Sequence, residues 1–284
     1  MRIPHVALLA MRGLSLLWLV RHEADPAYPR VTEIIDQPQM YDGEHIDRLV
    51  ALGPAGVPQI GLGLTAGEEF PLRFVFALGE LGTGEAASPL LQYLSSRASF
   101  DSNDDSYVTA LTLRAVGHIG AEEALSPLGN LLVEPQVHPR VRLAAAAAYL
   151  RSAAGGRDER AEKVLLDLYA NRTEYLADSN SGFSDAELYG ALSASASGEI
   201  KEILLSALGA GVYGKVAETI VDYFGQHRDP RSGKALVALA SKTDRRPDIR
   251  VKAVLTAAAL PENDAVVDFA TAQALLNCAS RDLI

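Results

Sequence analysis

The passage ALGELGTGEAASPL at residues 77–90 returns 38 residues later as AVGHIGAEEALSPL at residues 115–128. A fixed period of roughly 20 to 50 residues is typical of stacked supersecondary units, none of which buries its apolar face alone. A second echo has a compatible period, because PRVRLAA at 139–145 matches PDIRVKA at 247–253, and their separation of 108 residues is three units of 36. These echoes predict an array of repeated units through most of the chain.

Within the array, apolar residues recur at the three-and-four spacing of amphipathic helices, and no segment alternates strictly enough to predict a strand. Gly82 and Gly120 are expected where the first helix of a pair ends. Pro89 and Pro127 are expected in the first turn of the second helix, where a missing N–H is tolerated. The predicted helix pairs are 44–53 with 55–64, 67–82 with 85–97, 104–119 with 122–134, 137–154 with 157–171, 184–197 with 199–208, 212–226 with 230–242, and 247–260 with 263–279.

The motif Ala-Leu-Gly-x-Leu-Gly, followed by a short turn and Ala-x-Ser-Pro-Leu-Leu, resembles the HEAT repeat, particularly the short bacterial form also found in phycobilin lyase subunits. The resemblance implies an all-α, right-handed α-solenoid, a superhelix of antiparallel helix pairs with about seven repeats, whose second helices line a concave face. The family usually carries an arginine near the start of the first helix. Arg142 and Arg250 are in register here, whereas Pro71 and Thr109 occupy the matching places in two other units.

The chain is predicted to divide into an N-terminal part at 1–43, with a helical cap and an irregular connection, and a repeat array at 44–284. The stretch from Ile3 to Val20 is largely apolar, but Arg12 leaves runs shorter than the about 20 residues that span a bilayer. No clean cleavage site follows this stretch, although a start at Met11 would give a short signal core. A capping helix is favoured over a targeting segment, and both interpretations stay open.

The overall composition excludes some classes of protein. Hydrophobic residues make up 48% of the 284 residues and aromatic residues only 6%, which favours closely packed helices. A formal net charge of −10 argues against nucleic acid, because such proteins carry a basic stripe that displaces phosphate counterions. The single cysteine excludes an internal disulfide and a thiolate-rich metal site, and it fits a reducing cytoplasm.

Three short motifs suggest ligand binding, and each has a simpler structural explanation. Residues 209–214 fit G-x-G-x-x-G, but a helix rather than a strand precedes them, so they are expected to form a turn between helices. Residues 101–105 and 178–182 begin like calcium loops but lack the rest of the pattern. We expect polar loops there, with Ser184 and Glu187 forming a capping box at the next helix.

No catalytic or metal-binding set is predicted, and no cofactor. The pair His22-Glu23 resembles the dyads with which HEAT-like deoxyhypusine hydroxylases hold a diiron centre, but that site needs several dyads in successive repeats, and this chain has one. Cys278 is expected to be a small buried thiol in a terminal apolar helix. His118, at the end of its helix, is expected to interact with terminal carbonyl groups.

The predicted function is that of a non-enzymatic protein-interaction scaffold with a protein or peptide partner, and without nucleic acid or a membrane span. A repeat array offers an extended groove for such a partner. A HEAT-like DNA glycosylase would need a basic channel, which this acidic chain does not provide. By the geometry of the HEAT family, the groove would present polar positions of the second helices, namely Gln92, Arg97, Asn130, Lys163 and Asp167.

The alternative prediction is an accessory protein, like the HEAT-type lyases that hold a bilin and help to attach it to a cysteine. Such a protein would need an arginine or histidine for the propionates and an aspartate for the pyrrole nitrogens. Asp167 and Arg172 are the possible members of that set. The expected compartment is the cytoplasm, or the exterior if the N-terminal apolar stretch is a signal peptide.

Overall fold

The computed structural model describes residues 43–65, 71–96, 103–134, 136–177, 183–242 and 244–261. Within these ranges the regular structure is entirely helical, with no strand, so the predicted all-α fold of the α-solenoid type is confirmed. The α-helices in these ranges are α1 (Gly43–Val50), α2 (Val57–Thr65), α3 (Leu72–Leu81), α4 (Gly84–Ser96), α5 (Asn103–Ile119), α6 (Leu125–Val133), α7 (Pro139–Ser152), α8 (Glu159–Ala170), α9 (Arg172–Ala177), α10 (Asp185–Leu192), α11 (Gly198–Ala210), α12 (Gly214–His227), α13 (Gly233–Ser241) and α14 (Pro247–Ala258).

The described residues fall into two compact units. Unit 1 contains residues 43–96 and 111–124, and unit 2 contains residues 103–110 and 125–261. In unit 1, α1 contacts α3 and α2 contacts α4, while α3 also contacts α2 and α4. First helices therefore neighbour first helices, and second helices neighbour second helices, as expected of HEAT-like pairs.

Unit 2 has the same two-layer arrangement. One layer places α7, α10, α12 and α14 side by side in chain order. In the other layer α6 contacts α8, and α11 contacts α13. Helices of the two layers meet within a pair, as α7 does with α8, and between successive pairs, as α6 does with α7 and α13 with α14. Each helix consequently buries apolar side chains against more than one neighbour.

Small residues let neighbouring helices approach closely. A Cβ atom added to Gly61 on α2 would lie 2.6 Å from Cβ of Pro89 on α4. A Cβ atom on Gly79 of α3 would lie 3.1 Å from that of Ala115 on α5. On α7, the alanines from Ala144 to Ala148 are all buried. The absence of side-chain bulk at these positions is what brings the helix backbones together.

The turns within the pairs follow the predicted glycines. Gly82 ends α3 with a φ of 61°, and Gly120 has a φ of 69°. This left-handed conformation is accessible to glycine without a steric penalty from Cβ. Both positions therefore confirm the expectation that these glycines close the first helix.

The prediction for Pro89 was wrong by one helical turn. Pro89 is the sixth residue of α4, which begins at Gly84, and it therefore lies in the second turn instead of the first. The helix tolerates the ring because Gly61 leaves room for it on the neighbouring helix. Pro127 is the third residue of α6, as expected, and follows a single 3₁₀ turn at Glu122–Ala124.

Of the two arginines in the family register, Arg250 is a buried structural group. Arg250 on α14 is 2% exposed, and its Nε donates to the carbonyl oxygen of Ala240 at 2.9 Å. In the unit where Pro71 takes the register position, a buried arginine, Arg73, follows two residues later. Its guanidinium lies 4.7 Å from the ring centroid of Phe74. The arginine pattern is therefore shifted in that unit.

Two segments differ from the predicted pairs. A short helix, α9, lies between the predicted helix that ends at 171 and the one that starts at 184, where no helix was predicted. Helix α10 ends at Leu192 instead of 197, because Ser193 to Ser195 turn the chain before α11. Residues 1–42 of the predicted N-terminal part (1–43) and the predicted helix at 263–279 lie outside the described residues, so the division at 43/44 stays a prediction. None of the described helices has the length and apolar character needed to cross a membrane.

The buried face of α7 can be tested with Ala145→Glu. Ala145 is 0% exposed, so a glutamate there would be an unpaired buried charge. We expect the free energy of unfolding to fall by about 3–5 kcal/mol in a denaturant titration. Ala238→Glu on α13, at an exposed position, is the control and should change it by less than about 0.5 kcal/mol. Equal stabilities of the two variants would show that this face of α7 is not buried.

The close contact between α2 and α4 can be tested with Gly61→Ala. The new methyl group would overlap the rigid ring of Pro89, so we expect a loss of about 1–3 kcal/mol in the free energy of unfolding. Gly209→Ala is the matched control, because nothing lies within 4 Å of its Cβ position and alanine favours the helix by up to about 1 kcal/mol. A stabilised Gly61→Ala variant would contradict the contact.

Candidate functional site

The described residues of unit 2 form a cleft of about 470 Å³ where α9 and the N-terminal ends of α10 and α12 meet. Its volume lies within the range of roughly 300–1,000 Å³ typical of ligand pockets. The lining is mostly apolar and aromatic, with one guanidinium and one carboxylate. The lining residues are Arg172, Thr173, Leu176, Asp185, Tyr189, Val212, Tyr213 and Val216.

Local sequence signals place the three elements around the cleft. Asn171 ends α8, and its carbonyl oxygen accepts the N–H of Glu174 at 3.1 Å, so α9 begins almost at once. Ser184 caps α10 by accepting the N–H of Glu187 at 3.2 Å, which confirms the predicted N-cap. Gly211, with a φ of 87°, ends α11 and turns the chain toward α12.

Arg172 provides the positive charge of the cleft. Its guanidinium lies 4.1 Å from the ring centroid of Tyr169, and its Nη1 donates to the carbonyl oxygen of Tyr169 at 2.9 Å. Stacking on a ring and a hydrogen bond to a carbonyl together fix the plane of the group. Among the described residues, no carboxylate forms an ion pair with Arg172. The charge is therefore held in place without being neutralised by a described partner.

Tyr189 presents a neutral hydroxyl group to the cleft. Its ring meets that of Tyr169 edge to face, with 6.3 Å between centroids. Burial, reinforced by the charge and hydrogen bonding of the Tyr169 hydroxyl, raises the pKa of Tyr189 to about 12. Asp185, the first residue of α10, adds to this increase in the pKa of Tyr189.

Tyr213 forms an exposed aromatic wall of the cleft. The side chain is 64% exposed, yet the guanidinium carbon of Arg245 lies 3.1 Å from its ring centroid. Arg245 is itself buried, and it donates to the carbonyl oxygen of Gly211 at 3.0 Å and pairs with Asp244 at 2.7 Å. The ring is therefore backed by a fixed cation on one face. Leu176, which also lines the cleft, is 39% exposed.

The residues predicted for the groove lie elsewhere. Gln92 is exposed on α4 of unit 1, while Asn130 on α6 and both Lys163 and Asp167 on α8 are exposed in unit 2. Helices α6 and α8 are neighbours, so the last three residues share the second-helix layer. None of these four lines the cleft. Arg97 lies outside the described residues, and the groove positions remain predictions.

Some of the motifs and single residues considered in the sequence lie within the described structure, and the others lie outside it. Residues 209–214 connect α11 to α12, as predicted, instead of following a strand. His118 lies in the last turn of α5. In the part of the chain that the structure describes, no three His, Cys, Asp or Glu side chains are grouped to hold a metal ion. His22-Glu23, Cys278 and residues 178–182 lie outside it, as do 101 and 102.

A second polar cluster joins α11, α12 and α13. Asp229 is 7% exposed and accepts from the Nη2 of Arg231 at 2.7 Å, and Lys201 lies 3.7 Å away. Hydrogen bonding to Arg231 lowers the pKa of Asp229. The ring of His227 stacks on that of Tyr223 at 4.2 Å, and burial lowers the pKa of His227. These contacts fix the connection between the helices, and we assign them a structural role.

Sequence reasoning missed most of the cleft. Arg172 was named only as a possible bilin ligand, and Tyr189, Tyr213 and Arg245 were not singled out. The signal was weak, because 32 residues separate Tyr213 from Arg245 and nothing local marks them as partners. The visible clue was a tyrosine inside the glycine-rich segment 209–214.

Comparison with known proteins supports a helical repeat but not a particular family. The model of the vitellogenin TPR domain matches residues 74–175, about a third of the chain. No curated protein sequence matches the chain. Among solved structures, human deoxyhypusine hydroxylase in complex with glycerol matches with 17% identity and a TM-score of 0.34, over 92% of this chain and 98% of that one.

The state of Tyr189 can be tested by alkaline titration. The wild-type minus Tyr189→Phe difference in phenolate absorbance should have its midpoint near pH 12 in the folded protein. Because folding favours the neutral phenol, its contribution to stability is fully present below the ordinary pKa of 10.0 and is lost as the pH rises through about 12. The phenylalanine variant should lack that part of the decline. A midpoint near 10 would show that the group is solvated.

Proposed function

We propose that this chain is a non-enzymatic interaction module that binds a segment of a protein or peptide partner through the cleft of unit 2. The observation that carries the proposal is the exposed Tyr213 ring, held face to face with the buried Arg245 at the edge of an apolar cleft. Tyrosine and arginine are enriched at the few positions that dominate binding energy in protein interfaces. A ring that is already fixed loses little side-chain entropy when a partner binds.

The other lining residues support the same function. Leu176 and Val216 offer apolar contacts, and Leu176 is one of the few large apolar side chains among the described residues that are exposed. Arg172 and Tyr189 add a small number of polar groups in fixed positions. A mostly apolar surface with a few oriented polar groups is the usual composition of a specific binding site.

The predicted groove positions extend this proposal without being part of its main support. Asn130, Lys163 and Asp167 lie on the second-helix layer of unit 2, and a long partner could contact them in addition to the cleft. A cytoplasmic location belongs to the same proposal, resting on the single cysteine. The bilin alternative finds less support, because Asp167 does not line the cleft that contains Arg172.

The test is affinity purification of the tagged full chain from its native cell, with quantitative mass spectrometry. Tyr213→Ala should reduce the recovery of specific partners by roughly tenfold or more, as expected for a residue that dominates an interface. Lys234→Ala, an exposed substitution on α13, is the control and should leave recovery unchanged. Thermal unfolding of both variants checks that they are folded.

Equal recovery of every protein by wild type and Tyr213→Ala would contradict a partner site in this cleft. The bilin alternative has its own measurement, which is the absorbance of a bilin titrated with the chain. A spectral shift that is lost in Arg172→Gln would favour that function over peptide binding.

A further inference from the structure

The charges and rings of the cleft point to a particular kind of partner, and this inference rests on the proposed function. We propose that the cleft selects a peptide segment in which an aromatic or large aliphatic side chain is followed directly by a single glutamate or aspartate. The apolar side chain lies between Leu176 and Tyr213, and the carboxylate pairs with Arg172.

No carboxylate of the described residues pairs with Arg172, so its positive charge can attract a carboxylate of the ligand. Its Nη1 is occupied by the carbonyl oxygen of Tyr169, and its plane is fixed by the Tyr169 ring at 4.1 Å. The remaining N–H groups form a planar donor set that matches a carboxylate. A partly desolvated guanidinium gains more from an anionic partner than an exposed one does.

Asp185 limits the partner to one acidic group. Its carboxylate lines the same cleft and would repel a second ligand carboxylate. The formal net charge of −10 of the whole chain acts in the same direction against strongly acidic partners. Tyr189 lies on the same helix as Asp185, and its hydroxyl, hydrogen-bonded to that of Tyr169, adds no charge to the cleft. The charge pattern therefore favours a single acid beside an uncharged anchor.

The anchor is specified by size and by ring geometry. Only one face of the Tyr213 ring is taken by Arg245, and the side chain stays 64% exposed. An aromatic or aliphatic side chain packed on this wall buries apolar area from both molecules. A cleft of about 470 Å³ accommodates the anchor and the residue next to it, while the flanking peptide stays outside.

The test measures dye-labelled peptides with acetylated and amidated ends by fluorescence anisotropy with the full-length chain. The peptides have the form Gly-Gly-X-Z-Gly, with Phe, Leu or Ala at X and Glu, Gln or Lys at Z. The peptide with Phe and Glu should bind most tightly. Replacing Glu by Gln should weaken binding roughly tenfold, as expected when a charge-assisted hydrogen bond to a carboxylate is lost, and Lys should weaken it further.

Two variants separate the two parts of the proposal. Arg172→Gln should abolish the difference between the Glu and Gln peptides while keeping the preference for Phe over Ala. Tyr213→Ala should abolish the preference for Phe over Ala while keeping the difference between the Glu and Gln peptides. Lys234→Ala should leave both preferences unchanged. Thermal unfolding of each variant shows whether it is folded, and Arg172→Lys provides a second variant that keeps the charge.

Three results would overturn the inference: no binding of any peptide, a preference for Lys at Z, or a Glu preference that survives in folded Arg172→Gln. The Gln peptide can also be made with a free C-terminal carboxylate in place of the terminal amide. If it then binds as tightly as the amidated Glu peptide, Arg172 pairs with a terminal carboxylate, and the proposal is likewise rejected. If the peptides fail while native partners still depend on Tyr213, the interaction module stands and only this selectivity is wrong.

Discussion

The close approach of neighbouring helix backbones is the constraint on which the rest of this structure depends. A single helix pair cannot cover its own apolar face, so every pair needs a neighbour. At Gly61 against Pro89, and at Gly79 against Ala115, the spacing leaves no room for a larger side chain. Dispersion and area burial increase with such close contact, and they offset the entropy lost in ordering each pair.

Small residues such as Ala145 fill interfaces between helices, and the core also buries aromatic side chains such as Phe74 and Phe224. The candidate cleft lies instead at helix ends and connections. Tyr169 and Tyr213 both occupy such positions, and each ring is held by an arginine, Arg172 or Arg245. A connection therefore becomes rigid through ring and guanidinium contacts without belonging to a long helix. Rigidity of this kind is what a binding surface needs if it is to lose little entropy on association.

The sequence predicts features that depend on local chemistry and repetition. The duplicated passage at 77–90 and 115–128 predicts paired helices, because the same apolar spacing recurs with the same turn residues. Gly82 and Gly120 mark helix ends because their positive φ favours glycine. Ser184 marks a helix start because its hydroxyl accepts a backbone N–H two or three positions on. Each of these signals acts within one turn of the chain.

Features that depend on distant partners could not be predicted in this way. Helix α9 has only six residues, and its Tyr175 packs against Phe183 with 5.5 Å between ring centroids. A segment so short is marginal by its own propensity, and tertiary contacts decide its structure. Pro89 was misplaced for the same reason, because the space that accommodates its ring is provided by Gly61 on another helix.

The candidate site shows the same distinction. Gln92, Lys163 and Asp167 were chosen because the HEAT geometry places polar positions of the second helices in the groove. That geometry does not say which side chains converge at one point. In the described cleft, groups from α9, α10 and α12 converge, and their order in the chain gives no sign of it. The fixed cation of Arg172 and the neutral hydroxyl of Tyr189 come together only because these helices meet. Under the proposed function, the irregular connections provide the selective contacts, while the regular helices supply the rigid frame that holds them.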